Sequence, residues 1–287
     1  MSKNVNCLEI KNLCKEYEDF ALQNVSFTVP TGSIMGFVGQ NGAGKTTTMK
    51  AMLNLIEADS GSIKIFGEHH TDVDLKEDIS VVFDTVCFSG SLTPRKLEQV
   101  MATSYENWDE DLYFEYLDRL GVPLDKQIKA FSRGMTMKVT IAVALSHEAR
   151  FLILDEATAG LDPVVRDEVL ALFQEFVEDE NNSILMSSHI TSDLEKIADY
   201  ITFIHKGRVI LTENKDVLRD EYGIGRMKKA DFEKLDKADY LSSRVNGLQQ
   251  EVLVRNQEEF SRKYPNILVE RATIDEMLAF IITMEGQ

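Results

Sequence analysis

A glycine-rich segment with one lysine constrains the fold more than any other feature of this sequence. It fits the pattern GxxxxGK[ST], with a short apolar strand before it and a helix after it. The glycines let backbone N–H groups curl around phosphate oxygens, and the lysine neutralises the β- and γ-phosphates. A glycine-rich turn with a chance lysine is the alternative, which these flanks disfavour. The predicted phosphate-binding residues are Gly39, Gln40, Asn41, Gly42, Ala43, Gly44, Lys45, Thr46 and Thr47.

Two adjacent carboxylates follow another apolar strand, Phe151-Leu-Ile-Leu154, and complete this phosphate site. A bound nucleotide needs a divalent metal, so we predict that Asp155 holds Mg²⁺ through water and that the hydroxyl of Thr46 is a further ligand. Glu156 is then placed to polarise the attacking water as general base. An acidic helix cap after a strand is the plainer alternative, which the neighbouring phosphate motif disfavours.

The composition limits the class of protein. The 287 residues carry a formal charge of −17 and 44% of them are hydrophobic, so the chain can bury a full core. Clustered Lys and Arg normally mark nucleic-acid surfaces, and the acidic balance disfavours such a partner. No segment approaches the roughly 18 apolar residues of a membrane span. The three cysteines, Cys7, Cys14 and Cys87, include no CxxC pair, which argues against zinc or disulfides and favours a reducing cytosol.

The spacing of apolar residues divides the chain into two parts. Short strands alternate with helices up to about residue 214, which predicts an α/β domain over residues 1–214. Within it, residues 91–146 have helical spacing and are predicted to form a helical insert. Residues 215–287 are predicted to form a small α+β domain for accessory or dimerisation functions. Its predicted order, β-α-β-β-α-β, is the one found in ferredoxin-like folds.

Turn and capping signals bound the elements of this second domain. The pair Asn246-Gly247 favours a two-residue hairpin turn, and Pro265 ends a helix. One helix is predicted over residues 230–238 and a final helix from Thr273, with Glu276 as its partner in a capping box. The broad apolar face of the final helix packs either on its own domain or on the same helix of a second copy.

Five further stretches stand in an order that resembles the ATP-binding cassette (ABC) subunits of transporters, over about residues 8–212. Phe131-Ser-Arg-Gly-Met135 stands where this family has its LSGGQ signature, and Ala159-Gly-Leu-Asp162 resembles its D-loop. Ser187-Ser-His189 closes a strand as the family's switch histidine does. Tyr17 takes the place of the aromatic that stacks on adenine, and Asp84 that of the Q-loop glutamine.

The resemblance implies a P-loop NTPase cassette, with a mixed sheet core, a helical subdomain and an antiparallel subdomain. It also implies that ATP is bound with Mg²⁺ and hydrolysed. The charged side chain of Asp84 can hold Mg²⁺ directly, but it cannot donate a hydrogen bond while ionised. The expected catalytic residues are Glu156, His189 and Lys45, and the expected metal ligands are Thr46, Asp84 and Asp155.

The signature residues imply a second chain. In this family Ser132 and the N–H of Gly134 bind the γ-phosphate of the ATP held by the opposite cassette, and Tyr17, Asp162 and His189 are further expected ATP contacts. One cassette is present here, so the resemblance implies a partner cassette, either a second copy or a homologous chain. It also implies a separate transmembrane permease subunit. We therefore expect a cytoplasmic protein, peripheral on the inner face of the cell membrane.

The finer pattern, including Val81-Val-Phe-Asp84 and Leu92-Thr-Pro94, is most similar to bacterial exporters of antimicrobial or amphipathic peptides, such as phenol-soluble modulins. The expected function is therefore an ATPase that drives peptide export. The alternative is a soluble ABC ATPase acting on DNA or ribosomes, which the negative charge and the single cassette disfavour. The acidic run from Glu106 to Asp118 is either a solvated helix face or a docking surface for a basic helix of the permease.

Overall fold

Over residues 6–85 and 88–284, which the computed structural model describes, the chain forms three β-sheets with helices packed on them. Cys87 and the side chain of Met284 lie outside the described part. In chain order the strands are β1 (Leu8–Glu16), β2 (Ala21–Val29), β3 (Ile34–Val38), β4 (Ser60–Ile65), β5 (Glu68–His69), β6 (Ile79–Val82), β7 (Phe151–Asp155), β8 (Ser183–Ser187), β9 (Tyr200–His205), β10 (Arg208–Asn214), β11 (Gly223–Met227), β12 (Ser242–Asn246), β13 (Gln249–Val254) and β14 (Leu268–Arg271). The α-helices are α1 (Lys45–Met52), α2 (Pro94–Ser104), α3 (Glu110–Arg119), α4 (Arg133–Leu145), α5 (Pro163–Phe176), α6 (Thr191–Ile197), α7 (Lys215–Glu221), α8 (Lys229–Phe232), α9 (Gln257–Lys263) and α10 (Ile274–Met284).

The first sheet is antiparallel, with the strand order β2-β1-β4-β5. Leu8 of β1 pairs with Val29 on one side and Ile65 on the other, and all three side chains are buried. β1 continues through Asn12 to Glu16. Asn12 takes a left-handed φ of 50°, and the register of the ladder shifts just beyond Ile10, as in a β-bulge.

The second sheet carries the phosphate segment. Its order is β10-β9-β3-β8-β7-β6, and the neighbours are parallel except for β9 and β10. β3, β7 and β8 are buried along their whole length, as brief apolar runs in a parallel sheet predict. Parallel strands place their carboxyl ends at one edge, so the loops after Val38, Asp155 and Ser187 meet there.

Three helices form the predicted insert. α2, α3 and α4 each begin at a side-chain cap, Thr93, Asp109 and Ser132 respectively. The helical spacing gives α3 an apolar face, on which Tyr113 and Leu117 are fully buried, and α3 contacts α4. The acidic side chains from residue 106 to residue 118 are exposed, as both a solvated face and a docking surface would be.

The third sheet lies in the C-terminal region and is antiparallel throughout, with the order β12-β13-β11-β14. The order of its elements along the chain is the predicted β-α-β-β-α-β. The first helix is shorter than the predicted 230–238, because Asp236 caps a separate 3₁₀ turn, Lys237–Asp239. α7 contacts both β10 and α9, so the division at residues 214 and 215 remains a prediction.

The final helix is covered within its own chain. Thr273 and Glu276 form the predicted capping box, with hydrogen bonds of 3.1 Å and 3.2 Å between side chain and backbone N–H. Met277, Phe280 and Ile281 are buried, and α10 contacts β12, α6 and β9. The described part of this apolar face thus packs between the C-terminal sheet and the elements α6 and β9, and a contact with a second copy remains a prediction.

The described ranges contain no candidate for a membrane-spanning helix. None of the helices between residues 6 and 85 or between residues 88 and 284 is both long enough and apolar enough to cross a bilayer.

Candidate active site

The loop between β3 and α1 forms the predicted phosphate segment. Gly42 and Gly44 have φ values of 79° and 113°, which glycine adopts without strain. A Cβ on Gly44 would lie 2.7 Å from the side chain of Leu22, so close packing also requires glycine there. α1 begins at Lys45, whose ammonium donates to the carbonyl of Gly39 at 2.6 Å. The lysine therefore sits inside the turn that the glycines make.

A cavity of about 460 Å³ opens beside this loop. Lys45 is only 6% exposed. Burial holds the pKa of its ammonium below the usual value, while the carboxylates of Glu156 and Asp155 oppose this shift. A partly desolvated cation at a cavity wall suits an anionic ligand that completes its charge balance. The lining residues are Asp19, Phe20, Gln40, Asn41, Gly42, Gly44, Lys45, Thr46, Thr47, Asp155 and Glu156.

Asp155 ends β7 as a buried carboxylate with two hydroxyl partners. Thr46 Oγ1 donates to its Oδ2 at 2.7 Å, and Ser187 Oγ donates to its Oδ1 at 2.6 Å. The parallel pairing of β7 with β8 places Asp155 opposite Ser187, so the second contact follows from the register. The two motifs that the sequence placed 109 residues apart are thus joined at one hydrogen bond.

Glu156 and His189 meet at the same edge of the sheet. Glu156 has a left-handed φ of 56°, a strained conformation for a residue with a side chain, and its carboxylate lies on the cavity wall. Its Oε2 is 2.5 Å from His189 Nδ1 and accepts from the His189 backbone N–H at 3.2 Å. Its Oε1 lies 3.8 Å from Lys45 Nζ. One carboxylate therefore contacts both a cation and an imidazole.

Seven predicted ATP contacts lie outside the lining of this cavity, namely Tyr17, Gly39, Ala43, Ser132, Gly134, Asp162 and His189. Ser132 caps α4, where its hydroxyl accepts a backbone N–H bond at 3.2 Å. Asp162 caps α5 in the same manner, also at 3.2 Å. Gly134 lies in the first turn of α4, where a Cβ would be 3.2 Å from the carbonyl oxygen of Gly160. The signature segment therefore packs on the D-loop segment of its own chain.

The aromatic side chain at the cavity is not the one that the sequence predicted. Phe20 and Asp19 line the cavity, whereas Tyr17 does not and is 45% exposed beside the ammonium of Lys15. A turn bond from the Tyr17 backbone N–H to the Phe20 carbonyl, at 2.8 Å, reverses the chain between the two rings. The adenine-stacking role of Tyr17 remains a prediction, and Phe20 is a second candidate.

Asp84 has a partner that the sequence did not predict. Its carboxylate accepts a hydrogen bond from the guanidinium of Arg133, the residue that replaces a glycine of the family signature. Asp84 is not among the side chains that line the cavity. Its metal role therefore remains a prediction, and the structure adds an ion pair between two positions at which this chain differs from the family pattern.

Sequence reasoning missed the bridging role of Ser187 and the cavity contacts of Phe20 and Asp19. The serine had a usable signal, because it ends the strand beside the one that ends in Asp155. The other two stand in a loop whose direction depends on a turn, and no spacing rule identifies which of its side chains face inward.

Comparison with known proteins places this site in a family. A family model described as ABC transporter matches residues 22–159. The lantibiotic transport ATP-binding protein SrtF of Streptococcus pyogenes is 34% identical over 212 residues, which are 73% of this chain and 91% of that protein. The bacitracin transport ATP-binding protein BcrA of Enterococcus faecalis is 32% identical over 208 residues, 71% of this chain and 68% of that protein.

Comparison of the fold with solved structures leads to the same family. A solved structure of the ATP-binding subunit of an ABC transporter is similar with a TM-score of 0.67 at 29% identity, covering 74% of this chain and 92% of that one. Members of one family share sequence identity of this level over most of both chains. The phosphate loop and its carboxylates are also in place here. The chain belongs to the ABC transporter family, as an ATP-binding subunit with ATPase activity.

Proposed function

We propose that the cavity beside Lys45 binds the phosphates of ATP and that Glu156 is the general base for hydrolysis. The contact of 2.5 Å between Glu156 Oε2 and His189 Nδ1 carries this proposal. When Nδ1 is the donor, this hydrogen bond fixes the orientation of the carboxylate, which can accept a proton from water. Lys45 Nζ lies 3.8 Å from Oε1 of the same carboxylate, which places the proposed base beside the cation of the phosphate loop.

Mg²⁺ fits the hydroxyl and carboxylate that meet at the cavity. Thr46 and Asp155 supply hard oxygen ligands, and Asp155 is 4% exposed, so its charge needs a cation nearby. Within the described ranges no three acidic, histidine or cysteine side chains gather into a metal site. A site with few protein ligands is typical of Mg²⁺, because this ion keeps several of its waters and also binds substrate phosphates. When bound, it would neutralise charge on the phosphates. We assign it to Thr46 and Asp155.

A second cassette accounts for three of the residues that lie outside the cavity lining. Ser132 and Gly134 stand at the start of the 13-residue helix α4, which presents backbone N–H groups and the positive end of a helix dipole. An ATP held by another chain, either a second copy or a homologous cassette, is the ligand that we propose for them. Asp162, at the start of α5, is proposed to face the same partner.

The membrane step is proposed to belong to a separate permease that holds this chain at the inner face of the cell membrane. The relatives described above are named for lantibiotic transport and bacitracin transport. We propose export of an amphipathic or antimicrobial peptide, driven by ATP. The relatives are transport proteins, which favours this function over action on DNA or ribosomes.

Purification of the tagged chain from its own cells tests the proposal. The chain is cross-linked at native expression level, solubilised in mild detergent and analysed by mass spectrometry, with Lys45→Ala as the matched control for nucleotide-dependent partners. We expect an integral membrane protein at a fixed ratio to the chain. Ribosomal proteins or DNA in its place would refute the transport function.

A further inference from the structure

Two buried polar atoms outside the cavity face each other without a hydrogen bond. Arg166 Nε, near the start of α5, and Asp193 Oδ2, in the first turn of α6, lie 4.0 Å apart. Among the residues that the structure describes, neither atom has a hydrogen-bond partner, although Asp193 is only 1% exposed. A buried carboxylate is costly unless it is well paired, so a charge at this place points to a role beyond packing.

The guanidinium of Arg166 has a second contact, which leads towards the site. Its Nη2 donates to the carbonyl of Leu161 at 3.1 Å. Leu161 belongs to the segment that starts at Glu156, where the backbone N–H of Ala159 donates to the Glu156 carbonyl at 3.0 Å. The side chain of Arg166 therefore binds the end of the turn that begins at Glu156, the proposed base.

Asp193 leads back to the same site from the other side. Its backbone N–H donates to the carbonyl of Ile190 at 3.1 Å, directly after His189. His189 contacts Glu156 at 2.5 Å. The contacts thus form a ring, which runs from Glu156 along the turn to Arg166, across to Asp193, and back through His189.

We propose that Arg166 is a positioning residue for ATP hydrolysis, which keeps Glu156 and His189 in register by holding Leu161 and Asp193 together. The inference rests on the proposed roles of Glu156 and His189. Arginine suits this task, because its guanidinium is always charged, so that Nη2 donates to the carbonyl of Leu161 while Nε faces the carboxylate of Asp193 at 4.0 Å.

A second ion pair between the same helices provides a matched control. Lys196 of α6 lies 2.6 Å from Asp167 of α5, and both side chains are more than half exposed. This pair links α5 to α6 at the surface, where an ion pair contributes little to stability. If linking the two helices were all that mattered, the exposed pair and the buried pair would be equivalent.

The experiment compares two doubly substituted full-length chains in ATP hydrolysis and in urea unfolding. Arg166→Met/Asp193→Asn removes both buried charges together and leaves no unpaired ion, so we expect its stability to stay near wild type. Its kcat should fall about tenfold or more, because a small misplacement of catalytic groups is enough for such a loss. Its KM for ATP should stay within about twofold, since the cavity lining is intact. Lys196→Met/Asp167→Asn should keep the wild-type kcat.

If the buried double variant does not fold, Arg166→Gln/Asp193→Asn provides a neutral hydrogen-bonding pair with the same expected loss of kcat. Glu156→Gln in the same assay separates the two levels of the argument. Wild-type turnover by Glu156→Gln would overturn the proposed base and this inference with it. The role of Arg166 alone would be overturned if Glu156→Gln is inactive but Arg166→Met/Asp193→Asn keeps the wild-type kcat. It would also be overturned if Lys196→Met/Asp167→Asn loses as much kcat as Arg166→Met/Asp193→Asn.

Discussion

His147 is expected to make the folded chain sensitive to acid. It lies just after α4, is 5% exposed, and stacks on the ring of Tyr105 with centroids 4.1 Å apart. Burial lowers the pKa of its imidazole to about 4, and among the described residues neither ring nitrogen has a hydrogen-bond partner. The unfolded chain takes up this proton near pH 6.5, the ordinary value for histidine.

The sign and size of the effect follow from these two values. Between about pH 6.5 and pH 4 the unfolded chain binds a proton that the folded chain does not, so stability falls as the pH falls through this window. A difference of about 2.5 pKa units corresponds to about 3 kcal/mol in the free energy of unfolding. Most of it, about 2.5 kcal/mol, is already lost at about pH 4.5.

The assay is urea unfolding of the wild-type chain and of His147→Phe, at about pH 7.5 and about pH 4.5. Phenylalanine keeps a ring against Tyr105 but cannot take up a proton, and the carboxylates common to both proteins cancel in the comparison. We expect the wild type to lose about 2–3 kcal/mol more than the variant on acidification. Equal losses in both proteins would refute the reasoning. If the phenylalanine variant does not fold, His147→Gln replaces it.

Three further predictions concern the site and two turns. Asp84→Ala should raise the Mg²⁺ concentration for half-maximal hydrolysis, and Asp84→Gln should raise it less; equal titrations would contradict a metal role. Phe20→Ala should raise the KM for ATP more than Tyr17→Ala, because Phe20 lines the cavity, and the reverse order would favour Tyr17. Gly207→Ala should cost about 3 kcal/mol or more in urea unfolding, since its Cβ would lie 1.8 Å from a backbone oxygen. Gly247→Ala has open space and should cost about 1 kcal/mol, so similar losses would contradict the steric argument.

Contiguous motifs made the centre of the site predictable from sequence. The phosphate segment and the pair Asp155 and Glu156 each follow a buried strand, and parallel strands bring such ends to one edge. The hydrogen bond from Thr46 to Asp155 therefore follows from two local patterns and one rule of topology. Most elements of the C-terminal region were predictable for a similar reason, because hairpin and capping signals are local.

Contacts between distant segments were not predictable in this way. Arg133 lies in the signature segment and Asp84 takes the place of the Q-loop glutamine, and only the fold shows that one is bound to the other. The apolar face of α10 had an evident need for a partner, but the sequence does not say that α6 and β9 provide it. Arg166 and Asp193 are ordinary helix residues until their burial and their separation of 4.0 Å are known.

The steady-state rate of ATP hydrolysis by Glu156→Gln tests the central claim most directly. The amide keeps the size of the side chain and can still contact His189, which lies 2.5 Å from the carboxylate, but it cannot accept a proton from water. The account predicts a rate lower by on the order of a hundredfold or more, with ATP binding retained. A rate near that of the wild-type chain would contradict the assignment of Glu156 as the base.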